Sequence, residues 1–240
     1  MKNVISHNVS SIIKENTLYY DGIAPEYDRF LDKDSSNETI RQEVAREFHK
    51  KVGSGLVLDF GGGTGKDLQW LTEKGYRVIF CEPSSKMREK AIDLINKNIS
   101  VNNISILPEE KTDFTQWNVH APSSEKADAI LANFAVLNCI PNLDLLFKNL
   151  SIILNPNGHF FALILKSDFK NRWKSNRINA ITSLFLGEAV KMSVKFYATK
   201  HTVTLHTIRQ ISKVSKPWFN FTCHPLQSTN NFSLIYLIRK

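Results

Sequence analysis

Leu56-Val57-Leu58-Asp59-Phe60-Gly61-Gly62-Gly63-Thr64-Gly65 decides how this chain is read. A short apolar run ends in a carboxylate and then in glycines, after which residues 66–74 carry Leu68 and Leu71 at helical spacing. The pattern is that of a buried strand, a tight turn and a helix. Glycines suit such a turn because the backbone enters conformations closed to residues with a Cβ, and because a ligand lies directly against it. The stretch predicts a nucleotide-binding turn.

Upstream, residues 1–32 predict one short helix and the start of another, and the aromatics of Tyr19-Tyr20-Asp21-Gly22-Ile23-Ala24-Pro25-Glu26-Tyr27-Asp28 serve either as cap packing or as a lid. Ser35-Ser36-Asn37-Glu38 has capping-box spacing, and Ile40, Val44 and Phe48 recur every four residues. Residues 36–52 therefore predict an amphipathic helix, ended by Gly53 and Gly55.

Downstream, strands are predicted over residues 77–81, 104–107, 127–133 and 159–165, separated by helical stripes through Met87, Ala91, Leu94 and Ile95 and through Leu143, Phe147, Leu150 and Leu154. Strand alternating with helix implies right-handed βαβ units and a mostly parallel, doubly wound α/β sheet under an N-terminal helical cap. Residues 172–186 read as a helix. Residues 193–198, 201–206, 219–224 and 232–238 read as strands in close succession, which implies an antiparallel edge completing the sheet. One domain of 240 residues is expected, with residues 1–52 as cap, 53–165 as core and 166–240 as a basic, substrate-side part.

Composition narrows the class. The chain is 42% hydrophobic and 22% charged, as in soluble globular proteins, with no apolar run of membrane-spanning length and no secretory signal at the start, so a cytoplasmic location is expected. Cys81, Cys139 and Cys223 lack metal-ligand or disulfide spacing, and no metal site is expected. The net charge of +8 is uneven: residues 151–240 hold 13 Lys and Arg against Asp168 and Glu188 alone. Any anionic partner would meet that part, and Trp173 among Lys170, Arg172, Lys174 and Arg177 is a mixture that suits nucleic acid or an acyl carrier. Basic helix faces are common, however, and no RNA-binding module is recognisable, so neither partner is favoured.

Spacing separates three nucleotide motifs. A P-loop requires glycine at position 60 and Ser or Thr after Lys66, where Phe60 and Asp67 stand. A dinucleotide fingerprint counted from Gly61 and Gly63 requires a small residue at Lys66. The third pattern, acid-x-Gly-x-Gly-x-Gly, is met by Asp59, Gly61, Gly63 and Gly65, and it resembles the first motif of class I S-adenosylmethionine-dependent methyltransferases.

The resemblance extends from about Tyr20 to Leu165. Glu82 stands where the family's second acid binds ribose hydroxyls, and Pro83-Ser84-Ser85-Lys86-Met87 is similar to the segment whose Met packs near adenine. An acid after the third strand commonly approaches the adenine amine, and both Glu109 and Asp113 qualify. Asp128 to Asn133 is similar to the fourth motif, Leu154 to Gly158 to its Leu-x-Pro-Gly-Gly turn with Asn157 replacing a glycine, and Tyr20-Asp21, Ala24 and Tyr27-Asp28 to the entry of quinone-type and other small-molecule methyltransferases.

The resemblance implies a Rossmann-like fold, S-adenosylmethionine as methyl donor with S-adenosylhomocysteine as product, and a cofactor site of Tyr20, Tyr27, Asp59, Gly61, Gly62, Gly63, Gly65, Glu82, Pro83, Met87, Glu109 or Asp113, and Asn133. A small-molecule acceptor, aromatic or acyl-type, is expected. Methylation of RNA or a carrier-bound substrate, or a non-catalytic cofactor-binding role, are the alternatives. Asn138 either faces the substrate or caps the helix after Pro141. For an oxygen acceptor a histidine base is useful. His206 is the candidate, although period-2 counting sets it opposite His201 without saying which face meets the pocket.

Overall fold

The computed structural model describes residues 2–98, 103–166, 189–196, 199–229 and 231–240. Five parallel strands form the centre of the sheet: β1 (Leu56–Phe60), β2 (Arg77–Cys81), β3 (Ile104–Ile106), β4 (Ala127–Ala132) and β5 (Leu154–Leu165). Two antiparallel strands, β8 (Phe219–His224) and β9 (Phe232–Arg239), extend it in the order β3-β2-β1-β4-β5-β9-β8. The order reverses between β1 and β4, and in such sheets a crevice opens there at the carboxyl ends of the strands.

Period-2 alternation sends the two faces of β1 into separate cores. Leu56, Leu58 and Phe60 pack with Leu143, Leu146, Phe147 and Leu150 of α5 (Leu143–Ile153). Val57 packs on the other face with Ile40, Val44 and Phe48 of α2 (Ser36–Lys51), Leu68 and Leu71 of α3 (Leu68–Glu73), and Ala91 and Ile95 of α4 (Ser85–Asn98). Burial on both faces explains why β1 reads as a continuous apolar run rather than an alternating one.

The N-terminal region is a single helix, α1 (Lys2–Asp32), where two shorter pieces were expected, and Pro25 lies inside it. Tertiary packing overrides the local break: Tyr19, Ile23 and Ala24 bury against Met87 of α4. The capping box before α2 does not form. Ser35 makes no side-chain cap, and Asp34 Oδ1 accepts from the Ser36 amide at 3.0 Å instead.

β5 starts at Leu154, five residues earlier than the expected strand, because the Pro156-Asn157-Gly158 turn is a bulge within it: Ala127 pairs with Leu154 and Ala129 with His159. Asn157 takes the left-handed φ of +61° that its substitution for glycine requires.

The C-terminal part departs furthest from expectation. β6 (Val190–Phe196) and β7 (Thr199–Leu205) pair only with each other, as a separate hairpin, so only β8 and β9 complete the main sheet. Between β7 and β8 lies a helix absent from the sequence reading, α6 (Ile208–Ser215), whose N-cap Thr207 accepts from the Gln210 amide at 3.0 Å. Its apolar residues are too few for a long period, but Ile211 is fully buried and Ile208 and Val214 pack on the same core. The helix expected over residues 172–186, with the Trp173 cluster, lies outside the described residues.

Candidate active site

A cavity of about 560 Å³ opens at the carboxyl ends of β1, β2 and β4. Tyr20, Tyr27, Gly61, Gly62, Gly63, Glu82, Pro83, Met87, Glu109, Asp113 and Asn133 all lie on its wall. Asp59 and Gly65 do not. The 11 that do come from five separate segments, brought together by the parallel strand order.

The glycine turn hangs from the end of β2: the Gly61 and Gly62 amides donate to the Cys81 carbonyl at 2.8 and 3.2 Å. Gly63 and Gly65 both have positive φ, +59° and +82°, but their surroundings differ. A Cβ on Gly63 would meet nothing closer than the Tyr27 ring at 4.0 Å, whereas one on Gly65 would press on Leu68 at 3.0 Å and Ala91 at 3.1 Å. Gly63 thus keeps the cavity open and Gly65 lets α3 and α4 approach the turn. Gly65→Ala is expected to destabilise the fold by about 1–3 kcal/mol, read by chemical denaturation. Gly63→Ala meets the same backbone strain without the packing clash and is expected to cost less stability.

Glu82 is buried, and both its oxygens are engaged: Oε2 accepts from the Gly63 amide at 2.9 Å and Oε1 from the Ser84 amide at 2.8 Å. Burial pushes its pKa up to about 7, against the lowering effect of the Ser84 and Gly63 amides. Ser84 then starts α4, with Oγ accepting from the Met87 amide at 3.2 Å and donating to Asp21 at 2.6 Å. The acid-x-Ser-x-x-Met segment is therefore one device: acid clamped to the turn, hydroxyl as helix cap, Met on the cavity wall.

Seven-residue spacing on α1 explains the paired Tyr-Asp motif. Tyr20 and Tyr27 face the cavity together, their ring centroids 6.2 Å apart. Asp21 and Asp28 fasten the helix to the core: Asp21 accepts from Ser84 and from the Lys86 amide at 3.0 Å, and Asp28 from Thr64 Oγ1 at 2.6 Å. Lys66, which counts against a dinucleotide motif, pairs with Asp32 at 2.5 Å and continues the same seam.

Two groups on the wall, Arg41 and Asp67, were not expected in the site. Arg41 on α2 forms an ion pair with Asp67 at 2.5 Å, both side chains buried, and lies over the Phe134 ring at 4.6 Å. Asn133 Nδ2 donates to both Asp67 oxygens at 3.1 Å, and Trp70 Nε1 donates to Oδ1 at 2.8 Å. Beneath this group, Asp59 lies under Gly62, where a Cβ would come within 2.5 Å of its Oδ2. Burial and the neighbouring Asp67 raise its pKa well above the carboxylate range, and Oδ2 has no hydrogen-bond partner among the described residues.

Glu109 and Asp113 are distinguished by what they touch. The Glu109 carboxylate is turned to solvent and pairs with Arg88 at 2.9 Å. Asp113 is half-buried and caps a short turn through the Thr115 amide at 2.9 Å.

A second cavity of about 400 Å³ shares Tyr20, Tyr27, Leu31 and Cys139 with the first. Asn138 lies on its wall and bonds to the Leu165 amide and the Thr204 carbonyl, each at 2.9 Å; the cap of α5 is Asn142 instead. His206 lies one residue beyond β7, on the wall of neither cavity, against the Ile140 carbonyl at 2.9 Å. The histidine on the cavity wall is His201. Counting along one strand placed the two on opposite faces but could not identify the face that meets α1.

The parallel sheet with its reversal after β1, the antiparallel edge and the acid-and-glycine turn define the architecture of class I S-adenosylmethionine-dependent methyltransferases. A family model described as a methyltransferase domain matches residues 27–211, and the chain belongs to that family. Among solved structures, the DhpI–SAH complex is 13% identical, with 95% of this chain and 97% of that one covered and a TM-score of 0.65. The glycopeptide N-methyltransferase MtfA with S-adenosylhomocysteine is 14% identical, with 82% and 89% covered and a TM-score of 0.63. A S-adenosylmethionine-dependent methyltransferase from Clostridium acetobutylicum is 15% identical, with 92% and 98% covered and a TM-score of 0.61. No curated protein matches the chain.

Proposed function

We propose that the larger cavity holds S-adenosylmethionine and that the chain transfers its methyl group to a small molecule bound beside Tyr20 and Tyr27. The observation that carries this reading is Glu82: a buried carboxylate on the cavity wall, clamped by two backbone amides, with a second lone pair on each oxygen left to accept the paired ribose hydroxyls. Gly61 to Gly63 give the methionine portion a wall without side chains, Pro83 and Met87 give adenine an apolar one, and Asp113 rather than the solvent-turned Glu109 faces the adenine amine. Asp59 supports the turn from below.

When bound, the cofactor supplies a methyl group already activated on a sulfonium. The protein's task is then alignment and exclusion of water. Tyr20 and Tyr27, held by Asp21 and Asp28, cover the cavity from α1 and perform both.

Calorimetric titration with S-adenosylhomocysteine tests the cofactor, and labelled S-adenosylmethionine incubated with extract of the source organism tests the transfer. Absence of binding would remove the reading. Affinity is expected to rise with pH from about 6 to about 8, with proton release on binding, because hydroxyl donors favour the ionised form of Glu82. The sign reverses for the unliganded fold. The native protein holds on to a proton that the unfolded chain has already lost, so Glu82 lowers stability as pH rises from the ordinary carboxylate range to about 7.

A further inference from the structure

A polar chain that the cofactor reading leaves unused runs from Asn16, on the wall of the first cavity, to His201, on the wall of the second. Asn16 Nδ2 donates to the Cys139 carbonyl at 2.7 Å, which turns Asn16 Oδ1 toward His201 Nδ1, 2.6 Å away. Asn16 Oδ1 can only accept, so Nδ1 carries the hydrogen and Nε2 has the lone pair. Nε2 lies 3.5 Å from Cys139 Sγ, and Cys139 is one of the four residues shared by the two cavities. The ring is held flat against Tyr19, centroids 4.8 Å apart, and edge-on to Tyr20 at 5.5 Å. A buried imidazole has thus been given one tautomer and one orientation, with its basic nitrogen at the junction where donor and acceptor cavities meet.

We propose that His201 receives the proton of a hydroxyl acceptor bound in the second cavity, and that this acceptor is an uncharged aromatic or apolar molecule. The proposal rests on the methyltransferase reading. The lining supports the acceptor class: Tyr19, Ile23, Phe30, Leu165 and Val203 contribute apolar surface, and no charged side chain lines the cavity among the described residues. Among the described residues a carboxylate or phosphate would find no counter-ion there, and burying it unpaired is costly.

In the reaction, a lone pair of the acceptor oxygen forms the new bond to the methyl carbon. The carbon–sulfur bond breaks with its electron pair left on sulfur, which becomes neutral, and the O–H proton passes to Nε2, giving an imidazolium. Burial lowers the His201 pKa to about 4, so the ring is neutral and receptive at working pH. A weak base is adequate here, because an oxygen acquiring a methyl group makes its own proton strongly acidic. The thiol hydrogen of Cys139 has another acceptor in the Ala135 carbonyl, at 3.7 Å, so a substrate hydroxyl can replace it at Nε2. Asn16 is a positioning residue.

The test uses the full chain. Nitrogen-15 NMR of the histidine rings reads the tautomer without any turnover, and the His201 signal is expected to show a protonated Nδ1 and a bare Nε2. Labelled S-adenosylmethionine is then offered with a panel of uncharged phenols and with benzoates and phenyl phosphates of matching size. The phenols are expected to take the label, and His201→Gln to lower that turnover by about 10²–10⁴-fold. S-adenosylhomocysteine affinity, which also reports folding of the variant, is expected to stay within about twofold, because His201 is not on the wall of the donor cavity. Asn16→Leu is expected to shift the His201 tautomer signal and to lower turnover in parallel. The opposite tautomer, label in the acids but not in the phenols, label in none of them, or full turnover by a folded His201→Gln would each overturn the proposal. Failure of the wild-type chain to bind S-adenosylhomocysteine would instead remove the reading beneath it.

Discussion

Replacing Glu82 with Ala is expected to weaken S-adenosylhomocysteine binding by about 100-fold or more while leaving a folded protein. Two hydrogen bonds to a charged acceptor contribute about 1.5–3 kcal/mol each, and both are lost together. The fold is less affected because Glu82 and Gly63 line the cavity, so water can enter the space the carboxylate leaves and accept from the amides it served. Glu82→Gln distinguishes charge from shape. Its amide nitrogen would have to face one of two backbone donors, so its affinity is expected to resemble that of the Ala variant rather than the wild type. Calorimetry at about pH 8, where the wild-type carboxylate is ionised, is the appropriate measurement. A loss below about tenfold would show that the ribose hydroxyls are held elsewhere.

How much of this was legible depends on how local each signal is. Asp59 to Gly65 could be read because strand, turn and helix occupy adjacent residues, and the structure reproduces their order. Glu82 was legible for a different reason: a charged residue closing an apolar strand is costly unless it is used, and two amides use it. Arg41 and Asp67 were missed because their pairing joins α2 to the start of α3 across 26 positions, and no periodicity marks either one. The available signal was Arg41 itself, adjacent to Ile40 on the apolar stripe of α2. His206 and His201 show the same limit. Both are buried, but only the docking of α1 on β7, which brings Asn16 to His201, decides which ring reaches a cavity. The β6–β7 hairpin was misplaced because strand propensity identifies strands and not their partners.

The Arg41–Asp67 pair yields the largest expected effect on stability. Arg41→Met keeps an unbranched side chain over Phe134 but leaves the Asp67 carboxylate buried without its cation, at 4% exposure. Breaking a buried pair from one side costs about 3–5 kcal/mol. The lower end applies here, because Asn133 and Trp70 still donate to Asp67. For a chain of this size that corresponds to a fall of roughly 6–12 °C in the melting temperature. The complementary change separates lost charge balance from lost packing. Adding Asp67→Asn to Arg41→Met removes the stranded charge, so the double variant is expected to be more stable than Arg41→Met alone, by an amount that a double-mutant cycle reads directly. If the two changes were simply additive, the ion pair would contribute nothing beyond the shapes of its side chains. Coupling would instead show that it fixes α2 against the start of α3 and so holds Asn133 and Phe134 where they line the donor cavity.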